Sequence, residues 1–180
     1  MKNNALSQNA NALDHLSLGK ETAYSPYYDA ALLQGVPRAL NRDELNLKAD
    51  SLPFSGCDLW NLYELSWLNI KGNPMVATGV VQVPHDSEYL IESKSFKLYL
   101  NSFNQTKFQS TDDLIARLTK DLTHCAGKKV SVIVNADVDS FEDSLGCFSG
   151  VCIDHQDIEI DEYTFNQNLL HAVSTGEIVT

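Results

Sequence analysis

Between Ile91 and Asn101 the chain reads Glu92-Ser93-Lys94-Ser95-Phe96-Lys97-Leu98-Tyr99-Leu100, which places one acid, two hydroxyls and two lysines within six positions. An ionised carboxylate such as Glu92 accepts two adjacent N–H donors as a bidentate pair, the pattern offered by the amidine-like edge of a guanine-type base. Ser93 adds a hydroxyl, and a helix starting there leaves its first backbone N–H groups unpaired and favourable to anions. Lys94 and Lys97 bring positive charge suited to a pyrophosphate or a ribose phosphate. A plainer account fits the same residues: Ser93 or Ser95 caps a helix, and the lysines lie on its solvated face.

Several elements must position this run. Tyr89-Leu90-Ile91 reads as a short strand entering it, after a loop at His85-Asp86-Ser87. Phe96, Tyr99, Leu100 and Phe103 then fall at i, i+3, i+4 and i+7, the face of an amphipathic helix. Ser110-Thr111-Asp112-Asp113 opens a second helix with a capping hydroxyl and early acids. Leu114, Ile115, Leu118 and Leu122 form its buried stripe, and Gly127 ends it.

Upstream, Leu59 to Asn69 reads as a strand in which Tyr63, Leu65 and Trp67 alternate inward, with Trp60, Tyr63 and Trp67 read as core. Lys71-Gly72-Asn73-Pro74 is a turn, and Met75 to Val83 the returning strand of a hairpin. Val130, Val132 and Val134 alternate inward along a third strand, and Cys147 to Tyr163 reads as extended. Asp29 to Leu33 is expected to form one helical turn, and Asn41 to Glu44 can cap another. Strand, strand, helix, helix, strand, strand predicts an α+β fold, an antiparallel sheet with two helices on one face. Residues 1–45 are read as an N-terminal arm and irregular segment, and 46–180 as the module carrying the run.

Composition narrows the function. The 180 residues are 43% hydrophobic and carry a net charge of −11 at pH 7, which argues against direct binding to a nucleic-acid backbone. No apolar run reaches the length of a membrane span, and the polar start has no signal-peptide core. Cys57, Cys125, Cys147 and Cys152 are expected to be free thiols of a cytoplasmic protein. Cys147 and Cys152 with His155 lack the spacing of a common zinc site, so no metal is expected. The acids Asp137, Asp139, Glu142 and Asp143 read as a solvated charge run. Gly176-Glu177-Ile178-Val179-Thr180 stops inside a β-prone stretch, which suggests a chain cut short.

The run from Glu92 to Leu100, with Asn101-Ser102-Phe103 behind it, resembles in register the defining stretch of the QueF family, the NADPH-dependent nitrile reductases of queuosine biosynthesis. Leu32-Leu33-Gln34-Gly35-Val36-Pro37-Arg38 with Leu40-Asn41-Arg42 is similar to the N-terminal segment of that family's long, two-module form. Tyr63-Glu64-Leu65-Ser66-Trp67-Leu68-Asn69 and Cys152-Ile153-Asp154 are similar to further parts of it. The resemblance implies a tunnelling fold (T-fold) and reduction of the nitrile of 7-cyano-7-deazaguanine to the 7-aminomethyl amine with two NADPH, serving tRNA modification. It implies that a cysteine attacks the nitrile carbon and an aspartate supplies a proton. It also implies that two modules pair their sheets, with substrate between them, and that the protein forms a homodimer. Carried onto this chain, it gives Ile91, Glu92 and Ser93 to the substrate and Ser93, Lys94 and Lys97 to NADPH.

One departure qualifies the resemblance. Where single-module relatives carry the nucleophilic cysteine and the acid, this chain has Leu68 and Met75, whose side chains can do neither task. The expectation is therefore the N-terminal half of a long-form reductase, with no catalytic residue of its own and inactive alone. The alternative is a non-catalytic T-fold module that binds a purine-like ligand or a partner.

Overall fold

The computed structural model describes residues 25–136, together with Thr164 and Asn166. The expected extended run over 147–163, the group Cys147, Cys152 and His155, the acids Asp137 to Asp143 and the final β-prone stretch lie outside the described residues. Residues 25–136 belong to the first of the chain's two units, residues 1–141.

A 3-10 turn, Ala30–Leu32, begins after Asp29, whose carboxylate accepts from the Ala31 N–H, and a second 3-10 turn covers Asp43–Leu45. There follow β1 (Gly35–Pro37), α1 (Ala39–Arg42), β2 (Cys57–Asn69), β3 (Pro74–Pro84), β4 (Tyr89–Ile91), α2 (Ser93–Asn101), β5 (Lys107–Phe108), α3 (Thr111–Ala126) and β6 (Ser131–Asn135). The sheet order is β5-β2-β3-β6, and β1 with β4 forms a separate antiparallel pair. Both β2–β3 and β3–β6 are antiparallel, while β5 joins β2 in parallel through Leu68 and Asn69 alone. The architecture is α+β and T-fold-like.

Local chemistry explains both long helices. The hydroxyl of Ser110 accepts from the Asp113 N–H at 3.1 Å, and Asp112 and Asp113 place negative charge in the first turn of α3. Gly127 follows it in the left-handed region at φ +70°. Helices as short as α2 do not persist alone in water, so packing must hold them. Phe96, Tyr99 and Phe103 from the α2 segment join Leu114, Leu118 and Leu122 of α3 in one buried cluster with Leu65, Trp67, Val81 and Val83 of the sheet. Full burial of each such side chain contributes about 1.5–3 kcal/mol. Both helices therefore cover the same sheet face.

The alternation expected along β2 is broken at one point. Leu62 faces Gly79 and Leu65 faces Ala77, so Tyr63 and Glu64 together oppose the single residue Thr78. This β-bulge shifts the phase by one residue. Leu62 and Leu65 both point inward, and Tyr63, expected in the core, is 71% exposed. Trp67 is core and Trp60 is partly buried against it. Gly79, beside the bulge, has room for nothing larger: an added Cβ would lie 2.7 Å from the Ile133 carbonyl oxygen of the neighbouring strand.

Asp121, a polar residue on the inner face of α3, is buried between two tyrosines. It accepts from the Tyr28 hydroxyl at 2.7 Å and the Tyr99 hydroxyl at 2.9 Å. Burial first, then this carboxylate, raises both phenols above their ordinary value of 10.0. Burial also pushes the Cys125 thiol from 9.0 up to about 11. The folded state thus keeps protons that the unfolded chain releases, so stability is complete below about pH 9 and declines as pH rises. Urea midpoints should fall steadily above that point, and Cys125→Ala should remove the earliest part of the decline. A midpoint level through pH 10.5 would contradict this.

Candidate functional site

The site begins where β4 ends. Ile91 is buried as the last residue of β4 and pairs with Gly35 of β1. Glu92 has extended backbone and is the N-cap of α2. Its carboxylate folds back onto the helix: one oxygen accepts the Lys94 N–H at 2.8 Å and the other the Ser95 N–H at 2.6 Å. The capping residue is thus Glu92 rather than Ser93 or Ser95. Glutamate is not a favoured N-cap, but here both oxygens find donors and the anion sits at the positive end of a helix. Glu92 is only 6% exposed.

The N-terminal segment locks this corner. The Gln34 carbonyl accepts the Glu92 N–H at 2.9 Å, and the Gln34 N–H donates to the Ser95 hydroxyl at 3.1 Å. Ser95 in turn donates to the Glu92 carbonyl at 2.8 Å. Arg38 fixes the far side of the β1–β4 pair, donating to the Ser87 hydroxyl at 3.0 Å and forming an ion pair with Asp58 of β2. Gln34 contributes to this clamp through its backbone N–H and carbonyl alone, so its side-chain type carries no sequence signal for it.

Ser93 and Lys97 are exposed and lie one helical turn apart, so they share a face of α2. They line one cleft of about 410 Å³ with Phe96, Leu100 and Asn101 of α2 and Trp60 to Glu64 of β2. Opposite them, β2 shows a free edge, because among the described residues its only other neighbour, β5, reaches just Leu68 and Asn69. Lys97 makes no ion pair among the described residues. The Trp60 indole Nε1, packed edge-on against Phe96 at 5.3 Å, is buried without a hydrogen-bond partner. Lys94 is half-buried, with its backbone N–H given to Glu92. The five predicted residues thus divide: Ser93 and Lys97 line the cleft, Ile91 and Glu92 are buried beside it, and Lys94 lies between these positions in sequence.

A carboxylate offers about four lone-pair positions; the two helix N–H groups occupy one on each oxygen of Glu92, and the Ser93 hydroxyl lies 3.5 Å from the oxygen that takes Lys94. Leu68 and Met75 sit on β2 and β3, where Leu68 pairs with Pro74 and Trp67 with Met75 across the Gly72 turn. Of the described cysteines, Cys57 is exposed at the start of β2, and Cys125 lies in the last turn of α3. The raised Cys125 thiol is a poor source of the nucleophilic thiolate. Among the described residues no three His, Cys, Asp or Glu side chains converge as metal ligands, and no helix is long and apolar enough to cross a membrane.

Residues 24–134 match a family model described as the N-terminal part of the nitrile reductase 7-cyano-7-deazaguanine reductase. The match covers well over half of the chain and includes the clamp, the bulged strand, Glu92 and the cleft.

Proposed function

The chain belongs to the 7-cyano-7-deazaguanine nitrile reductases of queuosine biosynthesis, in their N-terminal part, and from this we propose that it is the N-terminal module of an NADPH-dependent enzyme that makes 7-aminomethyl-7-deazaguanine. The observation that carries the reading is the pairing of a buried carboxylate, Glu92, with a cleft lined by Ser93 and Lys97 at the same helix terminus. The carboxylate suits the donor edge of the deazaguanine base, with Ile91 as apolar support and Ser93 as a further hydroxyl. Of the cleft residues, the Ser93 hydroxyl and Lys97 ammonium suit the phosphates and sugar of NADPH, and the Trp60 N–H awaits an acceptor. Lys94 adds a second cation beside them. These donors fit the cofactor, which supplies hydride when bound; the residues named here bind and orient.

The nucleophile and proton donor are assigned to the enzyme's second T-fold module. The edge of β2, unpaired beyond Leu68 and Asn69 among the described residues, and an outer sheet face bearing exposed Leu59, Tyr63, Val76 and Ile133 support pairing with that module and assembly as a homodimer. A cytoplasmic enzyme without a resident metal completes the proposal. Incubated with NADPH and 7-cyano-7-deazaguanine, the 180-residue chain alone should leave absorbance at 340 nm unchanged. Sustained oxidation by a clean preparation would place a nucleophile inside these residues and overturn the division of labour.

A further inference from the structure

A second cleft, of about 480 Å³, lies between β5 and α3 and shares no lining residue with the first. Lys107, Phe108 and Gln109 form one wall; Asp113, Ala116, Arg117 and Lys120 form the other, at helical spacing that puts all four on one face of α3. Three cations against one acid give this cleft a positive lining.

The acid is already engaged, since the Asp113 carboxylate accepts from the Ser110 hydroxyl at 3.0 Å. Arg117 is held in place: its guanidinium stacks over the Tyr28 ring at 5.1 Å and donates to the Tyr28 hydroxyl at 3.4 Å. Tyr28 is itself anchored on buried Asp121. Lys107 and Lys120 make no ion pair among the described residues. A guanidinium held on Tyr28, sharing one cleft lining with half-buried Phe108 and with two ammonium groups that make no ion pair among the described residues, matches the oxygens of a small phosphate ester or pyrophosphate.

We propose that this cleft binds a small phosphorylated ligand at a site separate from the Glu92 corner. The size of the cleft is that of a small-molecule site.

Titration of inorganic pyrophosphate into the 15N-labelled chain tests this. The expected result is saturable binding with shifts confined to Lys107–Gln109 and Asp113–Lys120, weakened roughly tenfold or more by joint Lys107→Gln and Lys120→Gln. Both lysines are exposed, so the double variant should keep its folded spectrum, and Lys48→Gln, at an exposed lysine outside the cleft lining, should bind as the parent does. Non-saturable shifts, or equal weakening by Lys48→Gln, would reduce the site to the general field and overturn the proposal. Tighter binding of a short single-stranded oligonucleotide than of pyrophosphate would overturn the small-ligand assignment.

Discussion

Replacing Glu92 with alanine is expected to lower stability by about 2 kcal/mol and to weaken binding of 7-cyano-7-deazaguanine by about a hundredfold. The two effects are expected together because the carboxylate that caps α2 is also the proposed acceptor for the base. The Lys94 and Ser95 N–H groups lose the oxygens that cap α2, and Ser95 is fully buried, so water cannot fully replace what is removed. The ligand loses its charged acceptor at the same time. Glu92→Gln divides the two effects less sharply: it keeps the length and one acceptor oxygen but turns an NH2 toward the other backbone N–H, so it should cost about 1 kcal/mol, less than alanine, while weakening the base by tenfold or more. Urea denaturation beside ligand titration of both variants checks the pair. Equal stability of Glu92→Ala and the parent would show that the cap observed at α2 contributes nothing.

Asp121→Ala is expected to be still more damaging to the fold, by about 3 kcal/mol. The substitution leaves the fully buried Tyr99 hydroxyl and the Tyr28 hydroxyl without the acceptor that joins them. Tyr28 then loses its hold on Phe103, which it meets at a ring-centroid distance of 5.3 Å, and the N-terminal segment loosens from both helices. Asp121→Asn retains an acceptor of the same shape and should cost only about 1 kcal/mol. Tyr99→Phe in the Asp121→Ala background should then recover part of the loss, because it removes the orphaned hydroxyl. Denaturation midpoints of the three variants and their double mutant measure this cycle; additive losses from Asp121→Ala and Tyr99→Phe would contradict the shared bond.

Much of the architecture was legible because it is local. The caps Ser110 and Gly127, the Gly72 turn and the apolar periods of α2 and α3 depend on residues within a turn or two of each other. What escaped pattern reading depends on partners far along the chain. The bulge at Tyr63 and Glu64 is a count of two residues against Thr78, and only the pairing of β2 with β3 reveals it. The parallel contact of β5 and the pairing of β1 with β4 have the same character. Asp121 sits on the inner face of α3 because Tyr28 and Tyr99 come to meet it.

The candidate site was partly legible for the same reason. Residue types and the i, i+4 spacing of Ser93 and Lys97 point to a shared face, and they do share one cleft. That Glu92 itself caps the helix was not readable, since glutamate is an uncommon cap and its fit depends on the clamp from Gln34. That β2 has no strand partner opposite Lys97 among the described residues is likewise a property of sheet order, not of the run.

The central claim is that the Glu92 corner recognises the deazaguanine base, and 15N-resolved titration of 7-cyano-7-deazaguanine into the chain tests it most directly. The account predicts saturable shifts at the amides of Glu92 to Lys97, lost on Glu92→Gln while the spectrum of the fold is retained. Shifts absent from these amides, or unchanged by Glu92→Gln, would contradict it.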